Sequence, residues 1–151
     1  MMDQLFVGID VGSRGNVAYI MRPDGELFST FAIGNTLGGY RDVSKRIIAA
    51  MDKLGLGVVQ IGMEATSIYG EGLVHAIRED GSLGRFQRKI HVLNPKQVSK
   101  FKESYNDLPK TDWVDAFVIA DALRFGRIKN EVYCDDYRYE ALKTLTRARF
   151  Y

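Results

Sequence analysis

Cysteine is nearly absent from this chain of 151 residues: Cys134 stands alone, so there is no disulfide framework, and a reducing, cytoplasmic setting is expected. Histidine is almost as scarce, with two residues, which argues against a zinc centre of thiolates and imidazoles. No uninterrupted apolar run approaches the roughly 20 residues of a membrane helix. The start lacks the basic and then apolar pattern of a secretory signal, so a partner membrane is not expected. Repeats, low-complexity tracts and linkers are missing too. At 46% hydrophobic residues the chain is no disordered tail, and its length suits a single core.

Net charge is also small, +2, but the balance hides an asymmetry. Residues 85–129 hold ten Lys/Arg against five Asp/Glu, three of the five being Asp112, Asp115 and Asp121, while the remainder is net acidic. A basic half beside a set of acids suits a polyanion held near metal ions. An ordinary solvated surface is the plain alternative.

Periodicity predicts strands over Leu5–Val11, Asn16–Met21 and Leu27–Ile33, the last two joined by "RPDGE" with its Pro-Asp-Gly turn. Three strands with short links read as an antiparallel meander. A helix is predicted over Tyr40–Leu54, stopped by "GLG", then a strand over Val58–Glu64, a helix around Leu73–Arg78 and a strand over Lys89–Leu93. A short helix after Asn94-Pro95 and a long one over Thr111–Phe125, capped by Thr111 or Asp112, complete the order. This is a mixed α/β sheet in which a helical crossover sets Val58–Glu64 parallel and adjacent to the first strand.

Alternation puts Phe6, Gly8 and Asp10 on one face of the first strand, and Gln60, Gly62 and Glu64 on one face of the later one. Each acid thus has a glycine two residues earlier on its own face, at the strand end where open α/β sheets bind ligands. The glycines are expected to clear room for metals and a phosphate backbone. Two carboxylates that close demand a shared proton or a cation. Asp112 and Asp115, at i and i+3 of the predicted helix, offer further oxygen ligands, whereas Asp121 falls nearly opposite Asp112 and reads as a structural or solvated acid. Oxygen ligands without His or Cys favour Mg²⁺ or Mn²⁺, and two such ions suit phosphodiester transfer.

These residues lead to a family. From "GIDVG" through "MEATSIYGEGL" and "VLNPKQVSKF" to "KTDWVDAFVIADAL" and "LTRAR", the chain resembles the N-terminal RuvC-like domain of IS110-family transposases. The resemblance implies a ribonuclease H-like (RuvC-like) fold, with a mixed sheet made of a three-stranded meander plus parallel strands, flanked by helices. It implies a DEDD tetrad of Asp10, Glu64, Asp112 and Asp115, catalytic and metal-binding, that holds two Mg²⁺ or Mn²⁺ ions for DNA strand cleavage and transfer. A structured guide RNA and homo-oligomeric assembly are implied partners. So is a second, C-terminal domain with a nucleophilic serine, which these residues do not contain; residues 1–130 would form the RuvC-like domain and 131–151 the start of a helical linker. Ser13, Ser67 and Ser104 read as loop or helix-start residues. One departure is "GSRGN" after the first strand, where members often carry serine and lysine directly after the Asp-Val pair.

Nucleic-acid contacts are sought among Lys110, Lys96, Lys100, Arg85, Arg88 and Lys89. "RFQRK" interleaves an aromatic with basic residues, although Phe86 can equally anchor a loop to the core. Lys96, Lys100 and Lys102 form either a backbone-contact face or a solvated helix surface. Trp113 is expected to pack, Tyr69 to pack or to position a phosphate, and His75 and His91 to be ordinary core or surface residues. Three rival functions remain open: a RuvC-like Holliday-junction nuclease, an ATP-binding domain of the actin, Hsp70 and sugar-kinase type suggested by "GIDVGS", and a non-catalytic binding module.

Overall fold

In the computed structural model, which describes residues 3–12, 15–64, 68–129 and 131–134, the alternation of the first strand decides what lies on each side of the sheet. That strand, β1 (Gln4–Gly12), leads into β2 (Gly15–Met21) and β3 (Leu27–Ile33), successive antiparallel neighbours. Helix α1 (Leu37–Leu54) opens on Thr36, whose hydroxyl accepts from the Gly39 amide, and closes on Gly55 at φ 67°. Only a residue without a Cβ adopts that left-handed cap at little cost. Next come β4 (Val58–Glu64), α2 (Ile68–Glu79), a 3₁₀ turn at Gly81–Leu83 and β5 (Gln87–Leu93). The chain continues through α3 (Pro95–Lys102) and α4 (Val114–Arg124) to β6 (Glu131–Cys134). The six strands run in the order β3-β2-β1-β4-β5-β6, with β1, β4 and β5 mutually parallel.

On one face Leu5, Val7 and Ile9 join Val59, Ile61 and Met63 beneath Val43, Ile47 and Met51 of α1 and Leu73 and Ile77 of α2. On the other, Phe6, Tyr19 and Met21 pack against Ala116, Ile119, Ala120 and Leu123 of α4 and Val98 of α3. Each fully buried large aliphatic contributes about 1.5–3 kcal/mol, so both helical layers are firmly docked. Asp10 and Glu64 belong to the α4 side. Among the described residues no helix is long and apolar enough to cross a membrane.

Three expectations are corrected. Helix α4 starts at Val114 rather than Thr111, and its N-cap is Trp113, without a side-chain cap bond. Trp113 instead packs against Tyr19 and Phe117, centroids 5.7 and 6.5 Å away, so aromatic packing overrides the capping signal of Thr111 and Asp112. The sheet also passes the expected boundary at residue 130, since β6 pairs antiparallel with β5. The helix expected beyond it, with "YEALKTLTRARFY", lies outside the described residues, as do Ser13, Arg14, Ser67 and the side chain of Tyr69.

Candidate metal centre

Strands β1 and β4 pair residue for residue, from Gln4 opposite Val58 to Asp10 opposite Glu64. The two acids are therefore direct neighbours at the carboxyl ends of parallel strands. Gly8 and Gly62 are partners in the same register, and their role differs from the one expected. A Cβ on Gly8 would lie 1.9 Å from the Ala116 carbonyl oxygen and 2.8 Å from the Ala120 nitrogen; on Gly62 it would lie 2.7 Å from Ile119 Cγ2. What the glycines admit is helix α4, not a metal or a phosphate backbone. That close approach brings Asp115, in the first turn of α4, to the strand-end pair. One carboxylate oxygen from each of Asp10, Glu64 and Asp115 lies within 4.8 Å of the others.

Three acids this close and partly buried repel one another. Burial first, then the charges of Asp10 and Asp115, push the Glu64 carboxyl up to about 6, with Lys102 pulling the other way. Asp10 is raised by burial and by Asp115, again opposed by Lys102. Among the described residues, neither Glu64 Oε2 nor Asp115 Oδ1, both buried, accepts a hydrogen bond. Lys102 Nζ stands 2.9 Å from Asp115 Oδ1 as an ion pair. Three carboxylate oxygens around one small volume fit a hard cation such as Mg²⁺ or Mn²⁺.

The other residues proposed from sequence fall into distinct places. Asp112 is exposed in the turn before α4 and outside the group of three; with the helix starting later, it does not share a helical face with Asp115. Lys96 and Lys100 are exposed on α3 and Lys110 on the following loop, all beyond the carboxyl end of β5. Arg85 precedes β5, about 20 Å from that end at some 3.3 Å per strand residue. It pairs with Asp52 at 2.8 Å and lies over Phe86, which anchors the loop in the core. Lys89 is half-buried within β5, in register with Gln60. Arg88 is a correction: it is only 7% exposed, and its guanidinium donates to the carbonyls of Ile77, Arg78 and Asp80. Buried and satisfied as the C-terminal cap of α2, it has no surface to offer a nucleic acid.

Asp121 is structural, accepting from the Tyr105 hydroxyl and from Arg124. His75 is exposed, while His91 is buried beside Gln60, Nε2 3.2 Å from Oε1. The residue that sequence reasoning undervalued is Lys102, grouped with its helix neighbours although it alone is paired with a site carboxylate. The signal lay in Asn94-Pro95, read as opening a short helix: Asn94 and Gln97 form a capping box with proline in the first turn, which fixes where α3 starts and so where its last turn ends.

No curated protein matches the sequence significantly. Among solved structures, RuvC of Thermus thermophilus in complex with a Holliday junction substrate is similar at a TM-score of 0.53 and 14% identity, covering 83% of this chain and 98% of that one. A second structure of T. thermophilus RuvC matches at 0.53 and 13% identity, with the same coverage. At such identity the likeness establishes the fold, which is RuvC-like and hence ribonuclease H-like. The family described as transposase, of the IS110 DEDD type, matches residues 7–151. With the strand-end acids, the glycine-admitted helix and the "KTDWVDA" segment all inside that match, the chain belongs to the IS110-type DEDD transposase family.

Proposed function

We propose that this chain is the catalytic RuvC-like part of an insertion-sequence transposase, cleaving and transferring DNA strands with the help of Mg²⁺ or Mn²⁺. The observation that carries the reading is the meeting of Asp10, Glu64 and Asp115, from three separate elements, with oxygens within 4.8 Å of one another. Asp10 and Glu64 would hold the ion from the sheet and Asp115 from α4, and Asp112, exposed three residues earlier, would be the fourth acid of the tetrad. Bound ions supply Lewis-acid activation of the attacking oxygen and stabilisation of the leaving one. The protein's share is to orient oxygen ligands on rigid strands and to line the approach with Lys96, Lys100 and Lys110, whose charges attract phosphates.

Guidance by a structured RNA, homo-oligomeric assembly, a cytoplasmic location and a C-terminal partner domain with its own serine nucleophile belong to the same proposal and rest on family membership. In this reading residues 1–130 make up the catalytic domain, with β6 added to the edge of its sheet beside β5. The ATP-binding and non-catalytic readings gain no support from that membership. The test is DNA nicking in Mg²⁺ or Mn²⁺, with this domain in the context of its complete transposase. Wild type should cleave, while Asp10→Asn and Asp115→Asn should not, with folds intact by circular dichroism. Cleavage that persists in both variants, or that needs no metal, would refute the proposal.

A further inference from the structure

Lys102 ends α3, a helix positioned by its capping box and by Val98 in the core beneath α4. Its ammonium therefore reaches the first turn of α4, 2.9 Å from Asp115 Oδ1, with the two side chains 39% and 28% exposed. Its field extends to Asp10 and Glu64, where it opposes the upward push of burial and of the neighbouring acids. One tethered positive charge thus serves three carboxylates. A divalent ion held by the same oxygens would face a like charge at contact distance, so ammonium and ion compete for Asp115.

We propose that Lys102 is a built-in stand-in for the first divalent ion: it neutralises Asp115 while the metal is absent, releases it when the ion binds, and so sets the metal affinity of the site. The inference rests on the reading that Asp10, Glu64 and Asp115 hold an ion. It makes Lys102 a positioning residue rather than a catalytic one, and it predicts a site that stays tolerably stable when empty at the expense of binding metal more weakly.

The experiment is a calorimetric titration of Mn²⁺ into the 151-residue chain and into Lys102→Met, which keeps the alkyl stem, with Lys102→Gln as a second uncharged variant. Both should bind Mn²⁺ about five-fold more tightly than wild type, the scale of a partly exposed ion pair. Both should melt lower than wild type without metal, and the difference should vanish at saturating Mn²⁺. Unchanged or weaker Mn²⁺ binding by the folded variants, with wild type binding normally, overturns the stand-in role alone. A wild type that binds no Mn²⁺ overturns the metal reading and this inference with it.

Discussion

Replacing Glu64 by glutamine keeps the shape of the side chain and removes one of three crowded negative charges, so without metal it should stabilise the protein. The size follows from the electrostatics. In the fold, burial and the acids Asp10 and Asp115 raise Glu64 from its ordinary 4.5 to about 6. A folded-state value above the unfolded one means that the native state holds the proton more tightly. The associated stability is fully present below about 4.5 and is lost as pH rises through about 6. The full rise corresponds to about 2 kcal/mol, and solvent reaching this partly buried carboxylate reduces it to about 1 kcal/mol. For a chain of this length that is about 3 °C in melting temperature. Glu64→Gln in chelator-treated buffer should therefore melt about 3 °C above wild type at neutral pH, and the gap should close towards pH ~4.5 as the wild-type carboxyl protonates. Saturating Mn²⁺ should raise the melting temperature of wild type and leave the variant nearly unmoved. A variant that melts below wild type at neutral pH, or a gap that ignores pH, would show that Glu64 carries no repulsive charge in the fold.

Other substitutions probe the scaffold. Gly8→Ala puts a Cβ against the Ala116 carbonyl oxygen, which as backbone cannot yield; it should cost at least about 1–3 kcal/mol in urea unfolding and weaken Mn²⁺ binding by displacing Asp115. Gly62→Ala meets the Ile119 Cγ2 methyl at 2.7 Å rather than backbone at 1.9 Å; Ile119 is stiff at χ1 in a helix, so stability should fall here too, but by less than for Gly8→Ala in the same assay. Arg88→Met takes the guanidinium away from the Ile77 and Arg78 carbonyls at the end of α2, while the Asp80 carbonyl keeps the Leu83 amide; it should lower unfolding free energy by about 1.5–3 kcal/mol, without changing Mn²⁺ affinity. Asp112→Asn, at an exposed position, should leave the metal-free melting temperature within about 1 °C of wild type while reducing nicking by the complete transposase.

Much of this site was legible because strand geometry is rigid. Period-two alternation alone placed Asp10 and Glu64 on one face, and the crossover helix made their strands parallel neighbours, which the register confirms. Misreadings arose where a distant element decides the outcome. That Gly8 and Gly62 admit α4 depends on a helix far along the chain from both strands, so sequence showed an empty space without its occupant. The delayed start of α4 reflects Trp113 seeking Tyr19 rather than any local propensity. Arg88 looked like a surface base because its chemistry suggests solvent, yet its strand position turns it towards the α2 carbonyls. The four residues of β6 carry too short a pattern to stand out from a loop until β5 is there to pair with them.

If Asp10, Glu64 and Asp115 jointly hold a divalent cation, crystals soaked in Mn²⁺ and measured at an anomalous wavelength will locate it. An anomalous peak should stand among the three carboxylates, with the Lys102 ammonium moved off Asp115. Soaked crystals with these carboxylates in the same arrangement and no peak between them, or with the only peak elsewhere on the surface, would contradict it.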